Sequence, residues 1–338
     1  MPTSKIAHHY YLLLTILVLL LIGYTVDIFL LAFAGILLAI LIKSLSNLIR
    51  RYSHVSENVS MALVFISLIT AFSIFGFFMA PAISEQASQL YTELPQAWNK
   101  LSSDFLTFIN VKFSAGTPKE FNLRDILPKS QGVLAKISSI FTSTFGFFGN
   151  LLVVLFFGLS LAFQSKLYVR GFVHLFPKDK QVLVSHVLKD ITETLKLWLA
   201  GKLISMLFIG LITWFGLWLL DIPLAFTLAF IAAILSFIPN IGPILSAIPA
   251  ILLALLISPI SALYVLGLYL AIQTVESYII TPIIQQKSIS LPPGLIVLMQ
   301  LIMSLLTGFL GLALVAPILA VISVLTNNLY LKHLKNRD

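Results

Sequence analysis

The chain is 338 residues long, 59% hydrophobic and only 10% charged, with a mean hydropathy of +1.03. Soluble domains run at about 45–50% apolar and about 25% charged, so a soluble enzyme, a disordered scaffold and a disulfide-rich secreted module are all excluded. The 21 Lys+Arg against 13 Asp+Glu give +8, which in so apolar a chain reads as basic cytoplasmic loops rather than a nucleic-acid footprint.

In chain order, the gaps between charges outline the spans. Residues 1–10 carry one Lys and two His with no small-residue cleavage site after the apolar run, which predicts an uncleaved first span rather than a signal peptide. Residues 6–26 and 28–42 are charge-free around Asp27. One helix over 6–42 would be about 55 Å long against a hydrocarbon core of about 30 Å, so two short spans with a turn near Gly23–Asp27 are predicted. The next gap, 58–84, gives one span ending near Pro81; 137–165 and 203–220 give two more.

Residues 222–275 carry no charge, and as a single helix they would reach about 80 Å. The chain must therefore fold back within this stretch, and Pro239–Asn240–Ile241–Gly242–Pro243 is where proline removes backbone donors. The flanks 224–238 and 244–257 span about 22 Å each, which favours a re-entrant hairpin over a tight turn between two full spans. Residues 288–331 form another charge-free run, broken at Gly308 and Gly311 with Pro317 on the return, which predicts a second hairpin of similar plan. Paired interrupted segments of this kind point to a transporter binding site.

Basic residues orient the chain. Segment 43–57 is basic, segment 166–202 holds seven basic residues against three acids, and the tail carries Lys332, Lys335 and Arg337, so all three are expected to be cytoplasmic. Region 85–136 balances six basic residues against five acids, which suits the extracytoplasmic side and leaves both termini cytoplasmic. Leu90, Leu94, Trp98, Leu101, Phe105 and Phe108 describe an amphipathic helix, as do Leu183, Val187, Ile191, Leu195 and Trp198. Such helices lie at the interface, pack against other subunits or cap their own bundle.

Chemistry-bearing motifs are few. The sequence has no H-E-x-x-H, no G-x-S-x-G and no phosphate-cradling G-x-x-x-x-G-K, and with no cysteine it has no thiolate nucleophile or Cys-based metal site. No catalysis, metal or cofactor is expected. Glu276 is the one charge between Asp221 and Lys287, and Tyr269, Gln273 and Glu276 share a face at i, i+4, i+7. An intramembrane carboxylate is either a proton-exchanging group or a hydrogen-bond anchor for a broken helix, with Lys202 as its partner in the second case. Thr281–Pro282 should end or kink that helix, and Asp27 and Asp221 read as turn residues at the interfaces.

Phe237-Ile-Pro-Asn-Ile-Gly-Pro, Ala247-Ile-Pro249, Gln273…Glu276…Thr281-Pro282, Leu291–Pro293 and Gly308-x-x-Gly311…Ala316-Pro317 together resemble the signature of the autoinducer-2 exporter family, also called the PurR-regulated permease family. The resemblance covers nearly the whole chain. It implies a multi-pass inner-membrane permease, assembled as a homo-oligomer, whose members are linked to export of autoinducer-2 and in other branches to Na⁺(Li⁺)/H⁺ antiport.

The expected architecture is an all-α polytopic membrane protein with about eight transmembrane helices, re-entrant hairpins and amphipathic interfacial helices. Residues 1–83 would form the scaffold helices, 84–145 the extracytoplasmic amphipathic region, 146–202 a span with a cytoplasmic amphipathic helix, and 203–338 the transport region. The expected function is export of a small polar solute, with coupling to H⁺ or Na⁺; a Na⁺(Li⁺)/H⁺ antiporter, a passive channel and a non-transporting scaffold are the competing readings. Candidate pathway residues are Pro239, Asn240, Gly242, Pro243, Ser246, Gln273, Glu276, Thr281, Pro282, Gly308, Gly311 and Pro317.

Overall fold

The computed structural model describes residues 3–53, 55–70, 73, 77, 130–280, 282 and 292–331. Among these residues every regular element is helical. Among the described residues five helices are long and apolar enough to cross a membrane, and three shorter apolar helices accompany them. The amphipathic helix expected over residues 90–108 lies outside the described residues, as does Thr281.

Helix α1 runs unbroken from Thr3 to Tyr52. The turn expected near Gly23–Asp27 is absent, and Asp27 sits exposed on the helix rather than in a turn. A single interior Gly costs only about 1 kcal/mol against Ala, and a solvated or interfacial Asp breaks no backbone bond, so neither stops a helix that proline does not interrupt. At 50 residues α1 is about 75 Å long. Arg50 and Arg51 occupy its last turn, where the helix dipole favours them. The chain then turns into α2 (Glu57–Thr70). Ser46 Oγ donates to Ser60 Oγ at 3.0 Å, Ser60 Oγ donates to the Ser46 carbonyl at 2.8 Å, and Lys43 and Arg50 each approach Glu57 to 3.8 Å.

Helix α3 (Ser130–His174) bends at Gln164 (φ −112°, ψ 23°). A Cβ placed on Gly35 of α1 would lie 2.8 Å from Phe157 Cβ, and one on Gly158 would lie 2.7 Å from Leu38 Cδ2. These two glycines let α1 and α3 approach more closely than side chains would allow. Helix α4 (Lys178–Leu219) joins what the sequence presents as two elements, the amphipathic stretch 178–199 and the span 203–220. No Pro or Gly pair separates them, so the ladder continues. The apolar stripe packs inward: Leu195 is buried with Leu30, Leu37 and Leu314, and Ile191 packs against that cluster. Of the three placements left open for this stretch, Ile191 and Leu195 take packing within their own bundle.

Asp221 does sit in a turn, with φ 52°, and leads into the hairpin α5 (Ala225–Leu235) and α6 (Ile241–Ile257). At about 16 Å and about 25 Å both arms fall short of a full span. Helix α7 (Pro259–Val275) starts with Ser258 capping the Ser261 N–H, and widens into a π-helical turn over Glu276–Ile280. Pro282 lies just beyond; it has no N–H for the Tyr278 carbonyl, which accounts for the loss of regular α geometry there.

Helix α8 (Pro293–Thr326) breaks at Gly308, whose φ 63° and ψ −140° only glycine adopts without strain. A Cβ on Gly311 would lie 2.8 Å from the Met303 carbonyl oxygen. Eight residues of straight helix would put those positions about 12 Å apart, so the chain folds back at Gly308. The break expected over Gly308–Gly311 is therefore localised to its first glycine. Pro317 is buried in the returning arm.

The chain forms two compact units: Met1–Phe65, Asn150–Leu199 and Lys287–Asp338 in one, and Ile66–Gly149 and Ala200–Gln286 in the other. The core of the second comprises Ile209, Leu217, Leu228, Leu253, Val265 and their neighbours, drawn from α4 to α7.

Candidate functional site

The second unit is built from antiparallel neighbours. A Cβ on Gly216 of α4 would meet Leu268 of α7 at 2.5 Å, and Ser205 of α4 meets Glu276 one helix length further on, so α4 and α7 run in opposite directions. Hairpin α5–α6 lies beside them, with Gly210 close to Ala233 and Trp214 edge-on to Phe226 at 6.2 Å. The tip of the hairpin is drawn tight: a Cβ on Gly242 would fall 1.8 Å from the Leu235 carbonyl oxygen. Asn240, at φ 63°, carries the left-handed corner that Pro239 precedes.

Between these elements lies a small cavity lined by Ile209, Thr213, Ala232, Pro243, Ser246, Tyr269, Ile272, Gln273 and Glu276. Its space is about 10 Å³, on the order of one water. Three of its lining atoms, Thr213 Oγ1, Tyr269 Oη and Gln273 Oε1, are buried without a hydrogen-bond partner. Tyr269 faces Ser246 without closing a well-formed hydrogen bond, and the Ser246 hydroxyl itself donates to the Pro243 carbonyl at 3.0 Å. Gln273 spends its amide N–H on Ser277 at 3.1 Å, which leaves its oxygen to the cavity. An orphaned buried polar atom costs about 1–3 kcal/mol, and the void beside these three has room for about one water.

At the edge of the cavity sits a buried charge pair. Lys202 Nζ lies 3.6 Å from Glu276 Oε1, with side chains 11% and 9% exposed. Ser205 Oγ donates to the same oxygen at 3.0 Å. Removing one partner of such a pair typically costs about 3–5 kcal/mol, because the other charge is left uncompensated. The anchor partner expected for Glu276, Lys202, is thus in place, and the carboxylate also borders the cavity.

The structure brings together Pro243, Ser246, Gln273 and Glu276 of the predicted pathway residues. Gly242 and Pro239 shape the hairpin tip; Asn240 is exposed there, and Pro282 is exposed beyond the π-helical turn. None of these four lines the cavity. Gly308, Gly311 and Pro317 belong to the other unit. Sequence reasoning missed Thr213 and Ser205. Lys202, Ser205, Ile209 and Thr213 follow i, i+3, i+7, i+11, one face of a helix, and that spacing was the available signal. Among the described residues no three His, Asp or Glu side chains gather as a metal site.

The model of the AI-2E family transporter matches residues 11–331. The chain belongs to the AI-2E transporter family. The "Putative transport protein YueF" of Bacillus subtilis (strain 168) is 25% identical over 288 residues, 81% of this chain and 77% of that protein. A "Putative transport protein" of Thermotoga maritima is 24% identical over 324 residues, 92% and 94% of the two chains. The "AI-2 transport protein TqsA" of Escherichia coli (strain K12) is 30% identical over 149 residues, 44% of this chain and 42% of that one. Membership makes the chain a multi-pass membrane permease, in a family of transporters rather than enzymes.

Proposed function

We propose that the chain is a secondary transporter that exports a small polar solute through the cavity between α4, α6 and α7, with Glu276 as the group that exchanges a proton. The observation that carries this reading is the set of orphaned atoms Thr213 Oγ1, Tyr269 Oη and Gln273 Oε1 around one void. Left alone they are a standing cost, and a solute rich in hydroxyl or amide groups would relieve it. The void is one water in size, so this conformation is a closed one, and transport requires the α5–α6 hairpin to part from α7. The name of TqsA makes an autoinducer-2-like signal the first solute to try. The charge asymmetry supports an inner-membrane orientation with both termini cytoplasmic, and the family resemblance supports a homo-oligomer.

The test is flux in proteoliposomes with a panel of polar solutes, with and without a proton gradient. Glu276→Gln keeps shape and hydrogen-bonding capacity while removing the titrating proton. It should lose gradient-driven flux while keeping solute exchange, and it should melt lower than wild type because Lys202 is left without its charge partner. Wild-type gradient-driven flux in Glu276→Gln would end the proton-exchange role. Pathway function for Gly308, Gly311 and Pro317 forms part of the same proposal, tested by their effect on flux at unchanged assembly.

A further inference from the structure

Glu276 Oε1 has two partners on one oxygen, the Ser205 hydroxyl at 3.0 Å and the Lys202 ammonium at 3.6 Å. Besides the carboxylate and the Ser205 hydroxyl, the cavity that Glu276 lines presents further hard oxygens, Thr213 Oγ1, Tyr269 Oη and Gln273 Oε1. A carboxylate with neutral oxygens is the donor set that small hard cations take. Here the position beside the carboxylate already holds a cation, and that cation is covalently part of α4.

We propose that Lys202 is a tethered counter-cation, occupying the place beside Glu276 that a Na⁺ or Li⁺ ion would take, and that it makes this transporter indifferent to those ions. The inference rests on the reading of the cavity as the transport path. A lysine ammonium is a compact point charge on a flexible stem, so it fills an ion's place without imposing a fixed fork of donors. A second unit cation about 4 Å from it would bind on the order of a thousandfold more weakly than beside a lone carboxylate, even at an effective dielectric near 20. Glu276 therefore has a permanent partner when it is ionised, and the one ion small enough to displace that arrangement is a proton on the carboxylate itself. Lys202 is in this sense a positioning and specificity-determining residue. A purely structural anchor would hold the helices together and have no bearing on ion choice.

The experiment is thermal unfolding of the purified full-length protein in detergent, in NaCl, LiCl, KCl or choline chloride at equal ionic strength. Wild type should melt at the same temperature in all four. Lys202→Met should melt lower in choline and KCl and recover saturably in Na⁺ or Li⁺, because the bare carboxylate now recruits an ion. The double variant Lys202→Met/Glu276→Gln should lose that response, and Lys202→Arg should melt alike in all four salts, as wild type does. If Lys202→Met does not accumulate, Lys202→Gln repeats the test with an amide that still reaches Glu276. A saturable stabilisation of wild type by Na⁺ or Li⁺ overturns the proposal, and so does indifference of the neutral Lys202 variant to both ions. Melting involves no solute, so a negative solute-flux result leaves this test standing, and a negative melting result leaves solute transport untouched.

Discussion

Gly242 is where the hairpin tip is most sensitive, and the consequence of adding one methyl group there can be worked from distances. In Gly242→Ala the new Cβ would stand 1.8 Å from the Leu235 carbonyl oxygen and 2.5 Å from its carbon. Real Cβ contacts essentially never fall below 3.0 Å, so the two backbones must separate by about 1.2 Å merely to reach that limit. What the methyl meets is backbone, with no side chain able to swing away. The separation pulls on the Gly242 N–H bond to the Ile238 carbonyl, at 3.1 Å, and on the Ile241 N–H bond to Pro239, at 2.7 Å. Overpacking of this kind costs about 1–3 kcal/mol, and each strained hydrogen bond adds up to about 1 kcal/mol. A loss of about 3 kcal/mol or more should lower the melting temperature by roughly 5–10 °C. The matched control is Gly267→Ala on α7 of the same unit, where an added Cβ meets nothing within 4 Å. It should be neutral or raise the melting temperature slightly, since Ala is the better helix former. The assay is thermal unfolding of both variants in detergent beside wild type. Equal melting of Gly242→Ala and wild type, or equal losses in the two variants, would refute the close approach of α5 and α6.

Three further outcomes are expected. Gly308→Ala places a side chain at φ 63°, ψ −140°, which costs about 1–3 kcal/mol; it should destabilise the protein in the same melting assay although nothing lies within 4 Å of the added Cβ. Thr213→Val replaces an orphaned buried hydroxyl with a methyl group, so stability should hold or rise by up to about 1 kcal/mol, while the KM for the solute rises several-fold in flux measurements; destabilisation with unchanged KM would remove Thr213 from the site. Cysteines introduced at Ser103 and Thr117 should react with an impermeant thiol reagent applied to intact cells and those at Ser185 and Asn336 should not, as the charge asymmetry of the loops requires.

How much of this was legible in the sequence depended on what kind of signal each feature leaves. Pro239 and Gly308 mark breaks because proline removes a donor and glycine alone takes that φ and ψ, and both breaks were readable at their positions. Gly23–Asp27 looked like a third break, yet α1 runs through it. Helix length set against membrane thickness predicts a turn there, but that thickness limits only the part of a helix that lies in hydrocarbon. The join at residues 199–203 failed the same way, since a change from amphipathic to fully apolar pattern alters what a helix packs against without altering its backbone. Glu276 and Lys202 could be paired from sequence because a lone charge in a long apolar stretch must find an opposite one.

Thr213 could not be found by that logic. A single hydroxyl scarcely lowers the hydropathy of the run around it, and its importance arises from Tyr269 and Gln273, more than fifty residues away in sequence, leaving their own oxygens unpaired beside it. A missing hydrogen bond is a property of neighbours rather than of residue type. The site is therefore best understood as two layers with different origins. The charge pair is written into residue identity, and each buried charge is compensated by the other. The orphaned oxygens, one hydroxyl each on α4 and α7 and one amide oxygen on α7, face a void the size of one water and are open to a polar guest. If a polar solute enters the cavity as proposed, the unsatisfied atoms, more than the conspicuous carboxylate, are the groups it would meet.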